Sequence, residues 1–177
     1  MERKYAWHNY DDATMEKVYA LSDTYRQFLD NGKTERECVV QAVEFAEAKG
    51  YVNLNDVIKS NTPIKAGDKI YYIHMDKSIA LFNIGADDIE LGMNILGAHI
   101  DSPRIDVKQN PQYEDSNLVF WDTHYYGGIK KYHWVAMPLA IHGVVVKTDG
   151  TRININIGDK ETDPVFCITD LLPHLGQ

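Results

Sequence analysis

The stretch "NILGAHIDSPRIDVK", residues 94–108, joins an apolar run to a histidine, His99, and to an aspartate two residues later, Asp101. The apolar residues 93–98 predict a short β-strand. A strand that is apolar on both faces belongs at the centre of a covered sheet. Because open α/β sheets bind their ligands at the carboxyl ends of their strands, this stretch predicts an α/β sheet domain with a candidate site at His99.

Two amphipathic helices are predicted upstream of this strand. Residues 12–31 place apolar side chains at helical spacing, and Gly32 follows where a C-terminal cap belongs. Thr34 and Glu37 have capping-box spacing, which predicts a second helix that runs to about residue 49. We expect the two helices to pack as a pair on another layer of structure. The residues of the second helix expected in the core are Cys38, Val39, Ala42, Val43, Phe45 and Ala46.

The remaining sequence is rich in β-strand signals. A polar turn is expected over residues 53–61, followed by a β-hairpin formed by residues 69–74 and 78–84. Residues 135–147 and 152–157 flank an Asp-Gly turn, which predicts a second hairpin. From residue 118 onward no convincing helical pattern appears. We therefore expect an α/β half and a β-rich half, with a boundary near residues 104–110.

Composition narrows the class of protein. The chain is 44% hydrophobic, with 26 acidic and 18 basic residues and a formal net charge of -8. An acidic surface repels nucleic acids and anionic membranes, and no apolar run reaches the length of about 18 residues that a membrane span needs. We therefore expect a cytoplasmic protein that binds neither nucleic acids nor membranes. Cys38 and Cys167 have no disulfide pattern and are interpreted as reduced packing residues.

His99 and Asp101 have the spacing of a metal ligand and its orienting carboxylate. One imidazole nitrogen would bind the metal, while the aspartate accepts a hydrogen bond from the other nitrogen. The bare tripeptide equally fits a surface pair or a turn cap. His74 and Asp76 share the spacing, but they lie at a predicted hairpin tip and are interpreted as turn chemistry. At His99, the following Ser102-Pro103 stiffens the exit from the strand, because proline restricts its own φ angle and the preceding residue.

Other candidate features are less specific. The loop 125–128, Tyr-Tyr-Gly-Gly, either places two backbones close together, shapes a loop beside a ligand, or is a simple turn or bulge. No Gly-x-Ser-x-Gly elbow occurs and neither cysteine lies in a nucleophile motif, so a nucleophilic mechanism has no support. His174, which follows a proline, is on its own evidence a loop histidine. The histidines interpreted as half-buried or surface residues rather than ligands are His124, His133 and His142.

Together, several segments resemble the aspartyl aminopeptidase family of co-catalytic zinc metallopeptidases. In chain order they are Gly97-Ala-His-Ile-Asp-Ser-Pro103, Val107-Lys108, Tyr126-Gly127-Gly128 and the stretch from Asp163 to His174. The resemblance implies the N-terminal part of a zinc-peptidase α/β sheet domain over residues 1–104. It further implies the first part of an inserted β-rich dimerisation domain over residues 105–177.

The resemblance also implies site residues and partners. His99 would bind one of two zinc ions, Asp101 would orient it, and His174 would reach the active site of a neighbouring subunit to contact substrate. The implied function is hydrolysis of N-terminal residues from peptides by a homo-oligomer. Departures at Ile100 and Ile129 suggest a divergent branch and leave the preference for acidic N-terminal residues open.

The family's other zinc ligands and its general-base glutamate lie downstream of the inserted domain. The chain is therefore expected to be an N-terminal portion that is inactive alone. The alternative to an enzyme is a non-catalytic fragment or oligomerisation module.

Overall fold

A computed structural model of the chain describes residues 5–170 and residue 174. These residues fall into two compact units, divided between Ile100 and Asp101. The first unit combines helices with a three-stranded sheet, and the second contains two antiparallel β-hairpins. The predicted mixture of helices and sheets is confirmed. The assignment of residues 1–104 to a catalytic domain and of residues 105–177 to a dimerisation domain stays a prediction.

Helices and strands alternate irregularly along the chain. The first unit contains α1 (Asp12–Asn31), α2 (Glu35–Glu47), β1 (Val52–Asn53), α3 (Leu54–Lys59), β2 (Lys69–His74) and β3 (Ser78–Asn83). The second contains β4 (Arg104–Asp115), β5 (Leu118–Tyr126), β6 (Ile141–Val146) and β7 (Arg152–Ile157). Short 3-10 helices span Ala6–Asn9, Ile89–Leu91 and Lys131–His133. Strand β1 pairs with β2 in parallel, and β2 pairs with β3 in antiparallel fashion.

Both predicted helices are confirmed, together with their end signals. At the end of α1, the Gly32 N–H donates to the Phe28 carbonyl oxygen over 2.9 Å. At the start of α2, the Thr34 N–H donates to Glu37 Oε2 over 2.9 Å, while Thr34 Oγ1 accepts from the Glu37 N–H over 3.3 Å. These reciprocal bonds satisfy backbone donors that a helix leaves unpaired at its first turn. Helix α2 ends at Glu47, earlier than predicted.

The core lies where α2 packs on β2 and β3. Its buried side chains, among the described residues, are Cys38, Val39, Ala46, Ile70 and Tyr71. Ala42 and Val43 are half-buried. Phe45 was expected in the core, but the prediction is wrong: the side chain remains exposed, with its ring centroid 6.4 Å from that of Phe28 on α1.

The prediction of a central strand over residues 93–98 is wrong. These residues form no strand, and the side chain of Leu96 is 100% exposed. A strand requires a hydrogen-bonded neighbour for its backbone groups, and none of the described strands pairs with this segment. The apolar sequence alone therefore does not make a strand here.

The prediction of a polar turn over residues 53–61 is also wrong. This region contains the end of β1 and the short helix α3. Asn53 caps α3, because its side-chain oxygen accepts a hydrogen bond from the Asn55 N–H over 2.9 Å. The polar residues that suggested a turn thus serve as a helix start.

Strands β4 and β5 form a long hairpin that sequence patterns did not predict. Its register runs from the pair Arg104 and Tyr126 to the pair Asp115 and Leu118. The register shifts between Val107 and Gln112, where residues 108–111 of β4 oppose a single residue of β5. This bulge contains Pro111, which cannot donate a ladder hydrogen bond and is tolerated in such places.

The last predicted hairpin is confirmed by the antiparallel pairing of β6 with β7. Strand β6 begins at Ile141 rather than at residue 135, because a 3-10 turn and irregular chain precede it. Cys167 is unpaired as predicted, but it is exposed, so its interpretation as a packing residue is wrong. Every helix in the described part of the chain is too short or too polar to span a lipid bilayer.

Candidate functional site

His99 lies in irregular chain between the 3-10 helix that ends at Leu91 and the start of β4. Its side chain is exposed, whereas the next residue, Ile100, is half-buried. The prediction that a strand delivers His99 to the end of a sheet is therefore wrong for the described residues. The residue after His99 contacts helix α2.

That contact comes from Cys38, a residue of α2 whose side chain is only 5% exposed. Its Sγ atom lies 3.8 Å from the Ile100 carbonyl oxygen and 3.6 Å from the Gly32 carbonyl oxygen. Burial raises the pKa of the Cys38 thiol, and the carboxylates of Glu37 and Glu35 raise this pKa further. The thiol is therefore protonated at neutral pH, and its single S–H can donate a weak hydrogen bond to one of these two carbonyl oxygens at a time.

Asp101 belongs to the second unit, where its partner is a tyrosine at the end of β5. The Tyr126 hydroxyl donates a hydrogen bond to Asp101 Oδ2 over 2.8 Å. The guanidinium carbon of Arg104 lies 4.3 Å from the centroid of the Tyr126 ring. Arg104 in turn donates from Nε to Asp106 Oδ1 over 2.8 Å. Asp101 and Arg104 are half-buried, whereas the Tyr126 side chain is exposed.

The glycine after Tyr126 allows two chain segments to approach each other. Gly127 has a φ angle of 71°, a conformation that glycine adopts without strain. A Cβ atom added there would lie 3.4–3.5 Å from Pro103 atoms. The Tyr-Gly-Gly loop thus lies close to Pro103, in the Ser-Pro exit of the His99 motif, and its role beside a ligand stays a prediction.

The other candidate residues occupy different places. His74 ends β2, with Met75 and Asp76 following at positive φ angles of 52° and 58° in the hairpin turn. His174 is an exposed turn residue whose immediate neighbours fall outside the described part of the chain. The three remaining histidines of the β-rich half are His124 in β5, His133 in a 3-10 helix and His142 in β6. His142 pairs with Asp159 over 3.1 Å.

Tyr126 is the residue that sequence reasoning did not assign. Its loop was noted for its glycines, but no local pattern links it to an aspartate 25 positions earlier. The pairing of Arg104 with Tyr126 in the β4–β5 ladder brings them together. A prediction of the β4–β5 hairpin from the sequence would have placed Tyr126 near Asp101.

A catalytic zinc ion needs about three protein ligands and an open position for water. Within residues 5–170 and at residue 174, no three His, Cys, Asp or Glu side chains lie close enough together to hold one ion. The described residues do not make up a complete zinc site by themselves. The imidazole of His99 has the donor chemistry of one such ligand, and the Asp101 carboxylate has that of its orienting partner.

Comparison with known proteins identifies relatives over nearly the whole chain. Residues 28–177 match the family model described as aminopeptidase I zinc metalloprotease (M18). A probable M18 family aminopeptidase 1 of Clostridium acetobutylicum is 51% identical over 99% of this chain and 38% of its own length.

Solved structures agree with the sequence comparison. An M18 aminopeptidase from Thermotoga maritima has a TM-score of 0.88 at 46% identity and matches 100% of this chain and 38% of its own. The yeast mApe1 dodecamer shares the fold, with a TM-score of 0.68 at 20% identity over 85% of this chain and 36% of its own. The chain thus spans about 38% of the length of its curated relatives.

Proposed function

Since this chain belongs to the aminopeptidase I zinc metalloprotease family (M18), we propose that it forms part of an enzyme that releases N-terminal residues from peptides. The observation that carries the proposal is the family match over residues 28–177, which includes the complete His-x-Asp-Ser-Pro motif. The resemblance to a zinc aminopeptidase family inferred from sequence is confirmed. The activity itself, the peptide substrate and the preferred N-terminal residue belong to the proposal.

In this proposal His99 is a first ligand of a two-zinc site, and Asp101 orients its imidazole. A zinc-bound histidine normally donates its second ring N–H to a carboxylate or carbonyl, which fixes the tautomer and raises ligand basicity. The ligands that complete the site would come from outside the described residues. Zinc, when bound, would supply Lewis-acid activation of water and of the scissile carbonyl.

His174, the oligomer and the cellular location make up the rest of the proposal. We assign His174 to substrate contact in the active site of a neighbouring subunit of a homo-oligomer that assembles through the β-rich half. This assignment and a cytoplasmic location rest on the family resemblance and on the acidic composition.

The test compares two histidines with the same motif spacing in the protein expressed from the complete coding region that contains this chain. His99→Ala is expected to lose bound zinc and to lower aminopeptidase kcat/KM at least a hundredfold, because second-sphere changes alone cost about 10–100-fold in metal affinity. His74→Ala is the control, since it precedes Asp76 with the same spacing in a hairpin turn. His174→Ala should keep zinc and lose activity.

Metal content by mass spectrometry and release of N-terminal residues from chromogenic substrates provide the readouts. Aspartyl, glutamyl and leucyl substrates report the preference. If His99→Ala keeps the zinc content and activity of the His74→Ala control, the ligand assignment is wrong. An inactive, zinc-free protein from the complete coding region would contradict the enzymatic proposal itself.

A second candidate function, a non-catalytic assembly module, is favoured by the exposed apolar segment around Leu96. Such a module would bind a protein partner without performing chemistry. Stoichiometric zinc and peptidase activity in the complete protein would contradict it, whereas stable zinc-free assemblies would support it.

A further inference from the structure

We propose that Tyr126 is a positioning residue for the active site: its hydroxyl sets the orientation of the Asp101 carboxylate, and through it that of the His99 imidazole. This inference rests on the proposed function, because it assumes that His99 binds zinc. Tyr126 itself would touch neither metal nor substrate.

The first support is the hydrogen bond itself. The Tyr126 hydroxyl donates to Asp101 Oδ2 over 2.8 Å, the usual distance of an O–H···O bond. An ionised carboxylate has two oxygens with about four acceptor directions. It can therefore accept a hydrogen bond from tyrosine and another from an imidazole N–H at the same time.

The second support is that the tyrosine ring is itself held in place. The Arg104 guanidinium carbon lies 4.3 Å from the ring centroid, within the range of a cation–π contact. Asp106 Oδ1 anchors the same arginine over 2.8 Å. Because Arg104 and Tyr126 are paired residues of the β4–β5 ladder, the backbone also fixes their spacing. The hydroxyl is thus presented by a restrained side chain.

The third support is the freedom that the hydrogen bond removes. The terminal torsion of an aspartate side chain is broad and roughly two-fold. The half-buried Asp101 carboxylate, which lies outside any helix or strand, would rotate about this torsion without a fixed donor. A metal-binding histidine needs the opposite, a carboxylate whose acceptor direction is constant. The Tyr126 hydroxyl, at the end of β5, keeps the Asp101 carboxylate in one orientation.

The test is Tyr126→Phe in the complete protein, because this change removes only the hydroxyl and leaves the ring beside Arg104. The matched control is Tyr125→Phe, the same change one residue earlier. The Tyr125 side chain is exposed, with its ring 5.4 Å from Lys131 Nζ. Zinc affinity is measured by competition with a chelator, and thermal unfolding is recorded in parallel.

Tyr126→Phe is expected to weaken zinc binding about tenfold relative to Tyr125→Phe, at the lower end of the range for residues that orient metal ligands. The two variants should have similar unfolding temperatures. In an Asp101→Ala background, Tyr126→Phe should weaken zinc binding no further, because the two residues act as a unit. Equal zinc affinity of Tyr126→Phe and Tyr125→Phe would overturn the inference.

The His99→Ala variant separates this inference from the function on which it rests. If His99→Ala loses zinc while Tyr126→Phe equals its control, the positioning role alone is wrong. If His99→Ala retains wild-type zinc affinity, the ligand assignment is wrong and the positioning role is overturned with it.

Discussion

At the scale of single residues, Tyr71 connects the sheet to helix α2 in the core of the first unit. Its side chain is 4% exposed, and its hydroxyl donates to Glu47 Oε1 over 2.7 Å. Burial is the largest cause that raises the pKa of Tyr71 above its ordinary value of 10.0, and the bond to Glu47 raises this pKa further. The fold therefore favours the neutral phenol.

A pH prediction follows from this direction. Since the folded-state pKa is above the unfolded one, the stabilisation is fully present below pH 10.0 and is lost as the pH rises through the folded value. Tyr71→Phe should lose about 1 kcal/mol at neutral pH, the usual worth of a hydrogen bond. The variant should also lose less stability than wild type at alkaline pH.

Urea unfolding at neutral and alkaline pH measures both effects. Tyr72→Phe provides the control, because Tyr72 is the next residue of β2 and is exposed. Parallel alkaline losses in the wild type and in Tyr71→Phe would contradict the role of this hydroxyl.

At the scale of secondary-structure elements, the junction between α1 and α2 is tightly packed around Gly32. A Cβ atom built on Gly32 would lie 2.8 Å from Gln41 Nε2 and 2.9 Å from Cys38 Sγ. Gln41 Nε2 already donates to the Phe28 carbonyl oxygen over 3.1 Å. The absence of a side chain at Gly32 thus lets α2 approach the end of α1.

Gly32→Ala is expected to destabilise the fold by about 1–3 kcal/mol, the usual cost of forcing extra volume into a packed site. Gly85→Ala is the control, because a Cβ atom there meets only Asp87 N at 3.9 Å. Chemical denaturation measures the free energy of unfolding of both variants. Equal stabilities would mean that Cys38 and Gln41 move aside at no cost.

The elements predicted correctly from the sequence are those whose ends carry a local sequence signal, such as a helix cap or a tight turn. Gly32 and the Thr34–Glu37 capping box marked helix ends, and the Asp-Gly turn marked the β6–β7 hairpin. Strand β4 carries no such signal, because its polar residues and Pro111 resemble a loop. Its place in a ladder depends on β5, which the local pattern does not contain.

The candidate site divides in the same way. His99 and Asp101 stand out by their spacing, and their roles stay predictions. Tyr126 contacts Asp101 through a register that only long-range pairing creates. The strand expected over residues 93–98 does not form for a related reason. An apolar run indicates a preference for burial, but it does not supply the neighbouring strand with which a β-strand must pair.

At the scale of the whole molecule, the chain exposes much apolar surface. Among the described residues, the side chain of Leu96 is 100% exposed and that of Leu91 is 81% exposed. Leu91, Met93, Ile95 and Leu96 contribute to this surface, with Ile95 79% exposed. Contiguous exposed apolar residues favour association with a partner.

The 177-residue chain is therefore expected to self-associate, and Leu96→Asp should reduce that association without a loss of fold stability. The reason is that Leu96 contributes exposed area and no packing. Leu118→Asp is the matched control, since Leu118 is an exposed leucine at the start of β5. Sedimentation velocity measures the association state of the wild type and both variants. A monodisperse wild-type monomer would contradict the expectation.

The bulge between Val107 and Gln112 has a consequence for how the β4–β5 hairpin tolerates change. It separates four residue pairs beside Asp101 from four pairs beside the turn at Ser116. Because the bulge already absorbs unequal strand lengths, residues added near Ser116 need not shift the pairing of Arg104 with Tyr126. The distal half of the hairpin is thus a place where peptide tags or spectroscopic labels can be inserted while the Asp101 cluster keeps its register.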